Sequence, residues 1–237
     1  MVLELIEDPA NKPKVFEFDL EVVYEDEYMA IVNKPAGIIV SGNTFKTVFN
    51  SLPHNLKKSF EPDALTSPTP VHRLDNQTSG LLLIAKTKTA QVELSKQFTN
   101  QTIQKKYCAI VIGKVHSNQT INSPIEDKNA ETSFEIFRIV KSLKYKELSC
   151  LKVYPKTGRT HQIRIHLASI GHPILGDKLY GNPETIHKGK GLFLAASEIK
   201  FLHPKTFELL TIKIDVPNKF HSLLNREKRR WNTYNVS

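Results

Sequence analysis

Cysteine is scarce in this chain of 237 residues: Cys108 and Cys150 are the only two, far apart and set beside apolar neighbours. That argues against a disulfide framework or a cysteine metal centre and leaves reduced core thiols as the expectation. Long apolar runs are also missing. No stretch reaches the roughly 18 to 20 uninterrupted apolar residues of a membrane-spanning helix. The opening "MVLELIEDPANKPK" carries acid where a signal peptide carries a basic segment, so a cytoplasmic protein with no membrane association is expected. Internal repeats, low-complexity tracts and Pro/Gly/Ser linkers are absent as well. One compact domain is therefore expected, and a chain that is 40% hydrophobic and 24% charged can fill it with a substantial core.

Acidic residues become sparse after the first 33 positions. Those 33 hold nine acids against two lysines, so a net charge of +9 for the whole chain becomes +16 over residues 34–237. A field of that sign attracts phosphate polymers and gives salt-sensitive affinity by counterion release. Taken singly, runs such as "KSLKYK" (141–146) and "REKRRW" (226–231) read equally well as solubilising surface.

Strands are predicted in "EVVYEDEYMAIVNKP" (two runs about an acidic turn), "GLLLIAK" (80–86), "KKYCAIVIG" (105–113), "SFEIFRIV" (133–140) and "LSCLKVYP" (148–155). Two more fall in "GLFLAASEIKFLH" and "FELLTIKIDVP". Helices are rarer, at "KTAQVELSKQFTN" (88–100) and "RTHQIRIHLASIG" (159–171), the second expected to be capped by Thr160 and ended by Gly171. The fold class is α+β, a mostly antiparallel mixed sheet with flanking helices and loops. Residues 41–70, polar and rich in proline, read as one long irregular loop.

The chemistry-bearing stretches are "VHRLDNQTSG" (71–80) and "KTGRTHQIRIHLASIGHPILGDKLYG" (156–181). By turn chemistry alone Asp75 is a turn residue, because Asp, Asn, Thr, Ser and Gly each satisfy local backbone groups or permit positive φ. In the second stretch the helix start offers free amides, and beside basic side chains it suggests a phosphate cradle. A zinc site is rejected: His161 and His166 are five apart where helical ligand pairs need four, and no Cys or acid completes a set. His72 and His172 read first as structural hydrogen-bonding residues.

"HRLDNQTSG", then "KKYCAIV", then "GRTHQIRIHL" with "GHPILGDKLYG", and finally "LFLAASEIKFLHP" resemble, in order, the motif set of the RluA-type pseudouridine synthases. "AIVNKPAGIIV" is similar to that family's opening strand and Lys-Pro-Ala-Gly turn. The resemblance spans about residues 21–217 and departs in two places. Asn76 stands where many members carry a larger or basic residue, and the small N-terminal RNA-binding domain of longer relatives is not expected. Residues 1–20 are read as a short acidic extension and 21–237 as a single catalytic domain.

The resemblance implies isomerisation of specific uridines in structured ribosomal or transfer RNA, by a monomeric enzyme that uses no cofactor and no metal. It makes Asp75 the nucleophile, Arg164 its charge partner and Tyr107 the proton-handling phenol. Arg73 either fills the gap left by a flipped base or contacts a phosphate. His72, Thr78, Ser79 and Gly80 are expected about the substrate, as are Arg159, Thr160 and His161, with Leu194 packed on the Tyr107 ring. The alternative is a catalytically silent RNA-binding or assembly factor on the same fold. A nucleoside glycosidase fits less well, since no second acid is evident in these motifs.

Overall fold

The first two apolar runs fold as β1 (Glu21–Glu25) and β2 (Met29–Lys34), an antiparallel pair about a turn at Asp26. The Asp26 carboxylate accepts the Tyr28 and Met29 amides at 2.7 and 2.8 Å, which is what an acid in a tight turn does. The computed structural model describes residues 15–181 and 189–234. Of the predicted acidic extension, residues 1–14 lie outside the described residues, while Phe16, Phe18 and Leu20 pack on the core cluster around α1 (Val48–Asn55).

That helix corrects the reading of 41–70 as irregular. Thr47 caps it by accepting the Asn50 amide at 3.1 Å, and Val48, Leu52 and Leu56 recur at helical spacing and are buried. The segment ends in a strand, β3 (Ala64–Pro70), which pairs only with β4 (Ser79–Thr87). This edge position tolerates Pro68 and Pro70, whose missing N–H groups would break a central ladder.

α2 (Lys88–Thr99) is capped by Thr87, and β5 (Gln104–Ile112) follows. A short β6 (Gln119–Ile121) precedes β7 (Thr132–Ser142) and β8 (Lys146–Pro155), then α3 (Gln162–Ser169), β9 (Leu194–Leu202), β10 (Leu209–Lys213) and α4 (Asn218–Tyr234). The strands form one sheet in the order β1-β2-β4-β9-β5-β8-β7-β6, with β10 beside β9. Every pairing between these strands is antiparallel except β4 with β9, so the sheet is mixed and mostly antiparallel, as predicted.

The β4–β9 contact is only two pairs long, Ser79 with Ala195 and Gly80 with Ala196, and it joins the two halves of the sheet. Gly80 has φ +115°, and a Cβ there would collide with the Ala196 backbone. Glycine is required at this close approach. The joint brings the loop before β4 next to β5, β8 and α3, and so assembles the site.

Cys108 and Cys150 lie on the paired strands β5 and β8, with their sulfurs 3.6 Å apart as free thiols. α4, which carries "REKRRW", buries Phe220, Leu223 and Leu224, while Ser142 donates to its buried Glu227 at 2.7 Å. No helix among the described residues is long and apolar enough to cross a membrane.

Candidate active site

Asp75 sits in the loop between β3 and β4, and the backbone around it is held from two sides. The Thr78 amide donates to the Asp75 carbonyl at 3.0 Å, closing a turn. The next carbonyl, Asn76 O, accepts the Gly37 amide at 2.8 Å and the Lys34 ammonium at 3.2 Å. Lys34 is fully buried and also donates to the carbonyls of Pro35 and Ile38 at 2.9 and 2.7 Å. Burial pushes its pKa down to about 8, with the Asp75 charge acting in the opposite direction. The Lys-Pro-Ala-Gly turn is thus a brace for the Asp75 loop. A lysine closing a mostly apolar strand, with no acid beside it, is the one sign of this in the sequence.

Across from the loop, α3 begins at Gln162, later than predicted. Thr160 does not cap it. The N-cap is His161, in the left-handed region at φ +54° with no side-chain cap bond, a conformation that costs about 1 kcal/mol or more for a residue with a Cβ. Two amides at the helix start are occupied as well: the Gln162 amide donates to the Arg159 carbonyl at 3.1 Å, and Gln162 Oε1 accepts from the Arg159 amide at 3.0 Å and from the Thr157 hydroxyl at 2.6 Å. Of the expected phosphate cradle, the Arg159 amide is thus taken by a side chain of the same segment.

The His161 conformation turns its ring toward Asp75, Nε2 to Oδ1 3.8 Å, while Nδ1 meets the Tyr180 hydroxyl at 3.0 Å. One turn on, Arg164 is buried. Its Nη1 donates to Asp75 at 3.4 Å, and its Nε and Nη2 both donate to Asp177 at 2.8 Å. Its guanidinium lies 5.1 Å from the centre of the Tyr180 ring. The Asp177 side chain is wholly buried and also accepts the amides of Leu179 and Tyr180. Burial opposes charge on both partners. Their mutual hydrogen bonds and attraction prevail, raising the Arg164 pKa and lowering that of Asp177. Sequence reading missed Asp177, whose only signal is an acid in the tight "LGDK" turn.

Asp75, Arg164 and Tyr107 come together in one cavity of about 280 Å³. Tyr107 and Leu194, from the adjacent strands β5 and β9, both line it. Burial, and then the Asp75 charge, raise the Tyr107 pKa above the ordinary phenol value. Arg73, Thr78, Arg159, Thr160 and His161 also line the cavity, with Arg73 at its exposed rim. Thr78 is 2% exposed, and its hydroxyl has no partner among the described residues.

Three predicted substrate residues have other occupations. Ser79 and Gly80 are spent in the β4–β9 joint, outside the cavity wall. His72 lines the cavity, but its Nε2 accepts the Leu83 amide at 3.0 Å and its ring packs on Phe98 at 4.8 Å, the structural role read first for it. His172 likewise bonds the Ile112 carbonyl through Nδ1 at 3.0 Å. His166 is buried against Thr132 and the Ser123 carbonyl, away from His161 and its partners. With one carboxylate among Arg73, Lys105, Arg159 and Arg164, the cavity's donor set does not suit a divalent cation.

The sequence profile of the RNA pseudouridylate synthase family matches residues 28–169. An uncharacterized RNA pseudouridine synthase of Aquifex aeolicus is 33% identical over 94% of this chain and 78% of its own length. The ribosomal large subunit pseudouridine synthase D of Zymomonas mobilis is 32% identical over 90% of this chain and 74% of its own. Among solved structures, the human RNA pseudouridylate synthase domain containing 4 superposes with a TM-score of 0.69 at 21% identity, covering 87% of this chain and 92% of that one. At that identity the likeness speaks for the fold.

Proposed function

The chain belongs to the RNA pseudouridylate synthase family as an RluA-type member, and from that premise we propose that it isomerises uridine in ribosomal RNA with Asp75 as nucleophile. The observation that carries the assignment of Asp75 is its position: among the described residues it is the one carboxylate lining a cavity that also holds a buried arginine and a half-buried tyrosine. Ribosomal RNA as substrate is supported by the large-subunit relative.

The reaction breaks the bond between the ribose and a ring nitrogen and remakes it to a ring carbon. That carbon loses a proton and the nitrogen ends protonated, so no co-reactant is consumed. A carboxylate holds the sugar or the ring while the bond is open. Arg164 keeps the Asp75 carboxylate oriented and offset in charge, since Asp177 fixes the plane of the guanidinium. Tyr107, a neutral phenol, passes the departing proton on, giving up its own as its oxygen accepts it. The uridine reaches the cavity by leaving the RNA stack, at a cost of a few kcal/mol, and Arg73, exposed at the rim, fills the gap in this reading.

The direct test is incubation of the purified protein with ribosomal RNA made without modification, followed by site-by-site mapping. New pseudouridine supports the proposal. Free uracil would point to glycosidic cleavage, and unchanged RNA that is nonetheless bound would point to the silent binding factor.

A further inference from the structure

Four cationic side chains face the cavity, and three are accounted for. Arg164 is held by Asp177 and Asp75, while Arg73 and Arg159 are exposed, Arg159 donating through Nε to the Asn129 carbonyl at 3.0 Å. Lys105 differs. It is half-buried on β5, and its ammonium donates to the Thr157 carbonyl at 3.2 Å. Among the described residues no carboxylate pairs with it, and burial alone acts on its charge, holding its pKa down to about 8. An ammonium has three donors, and a single neutral acceptor leaves most of the lost hydration uncompensated.

Such a cation is stabilised when an anion enters beside it. The uracil ring is neutral, whereas every linkage of the RNA carries one negative charge. Lys105 and Tyr107 are two apart on one strand, so their side chains leave the same face about 7 Å apart. That is the scale of a single nucleotide, from base to phosphate. His72 on the same wall is kept neutral by burial and by Lys105 itself, so it does not compete for the anion.

We propose that Lys105 binds the phosphate flanking the flipped uridine, drawing the backbone of that nucleotide into the cavity while Tyr107 and Asp75 meet the base and sugar. This rests on the reading of the cavity as the uridine site. Lys105 is then a substrate-binding residue, and its charge rather than its basicity matters.

The experiment uses the whole protein and stem-loop RNAs centred on the mapped uridine. One RNA is native, and two carry a single uncharged methylphosphonate at the linkage on either side of the target. Wild type, Lys105→Met, Lys105→Gln and Lys105→Arg are compared by affinity and single-turnover rate. Wild type should lose affinity about tenfold or more at one of the two linkages, the scale of a charged hydrogen bond. Both neutral variants should show that loss already on native RNA and be indifferent to the same methylphosphonate, and Lys105→Arg should restore the sensitivity. Wild type indifferent at both linkages overturns the proposal whatever the variants do. So do neutral variants as sensitive as wild type, or neutral variants that bind normally but turn over slowly and are not rescued by arginine, which would assign Lys105 to proton handling. If wild type makes no pseudouridine in native RNA, it is the proposed function that fails.

Discussion

Arg164 gives both of its short hydrogen bonds, each 2.8 Å, to Asp177 and meets Asp75 through Nη1 at 3.4 Å. The charge partner of the proposed nucleophile is therefore aimed by a second carboxylate. Bidentate contact fixes the guanidinium plane, and the longer bond leaves Asp75 able to move toward the substrate.

Asp177→Asn should slow turnover by about tenfold or more while RNA affinity changes little, because the asparagine retains one acceptor for Arg164 but not the fork. Asp177→Ala should in addition lower stability by about 3 kcal/mol or more, since a buried cation loses its main partner. Single-turnover rates and denaturant unfolding of the two variants check this. Wild-type rates in Asp177→Asn would show that Arg164 needs no aiming.

Tyr107→Phe should bind RNA normally and turn over about a hundred- to ten-thousandfold more slowly, the usual worth of a positioned proton-transfer group. The phenol pKa is raised by burial and by Asp75, so the group enters the reaction protonated and the wild-type rate should show no tyrosine limb near neutral pH. A phenylalanine variant with ordinary rates would return Tyr107 to packing.

His72 gives a pH signature in stability. Its Nε2 accepts the Leu83 amide, and burial followed by the Lys105 charge pushes its pKa from 6.5 down to about 3. The folded chain then holds a neutral ring where the unfolded chain is protonated. The contribution is complete above pH 6.5 and is lost as pH falls through the interval toward 3, at up to about 1.4 kcal/mol per pH unit. In denaturant titrations across that interval, wild type should lose stability more steeply than His72→Gln, which keeps an acceptor for Leu83 without a titrating ring. Parallel curves would contradict the assignment.

Much of this architecture is legible in the sequence because the central strands carry apolar runs such as Leu81–Ala85 and Ala109–Ile112. β4 is buried at every position, and its apolar run follows a polar turn that cannot be missed. α1 and β3 are harder to see: Val48, Leu52 and Leu56 lie among polar residues and prolines. α4 is masked by its charge run, although Phe220, Leu223 and Leu224 mark its buried side. At the site, Asp75, Tyr107 and Arg164 are visible as motif positions, but their supports are not. Asp177 and Lys34 act through contacts made only after folding, with a helix and with a carbonyl 42 residues away, and local pattern carries no trace of such partners. The His161 backbone, which displaces the expected Thr160 cap, is likewise fixed by its ring's contacts with Asp75 and Tyr180.

Arg73 separates two uses of a rim arginine. If it fills the space of the flipped base, Arg73→Ala should lose far more turnover on a structured stem-loop than on a short unstructured RNA. A phosphate contact would weaken both alike and reduce the salt slope of binding by about one. Rates and affinities on both RNAs at several salt concentrations decide between them, and the first outcome is expected.

The central claim is that Asp75 is the nucleophile of a uridine isomerase, and the most direct measurement is pseudouridine formed per RNA by wild type and Asp75→Asn at equal occupancy. Asparagine keeps the size of the side chain and an acceptor for Arg164 but removes the nucleophile. Wild type should convert the mapped uridine fully, and Asp75→Asn should bind the same RNA within about threefold yet leave it unmodified over long incubation. Conversion by Asp75→Asn at a rate near that of wild type would contradict the account.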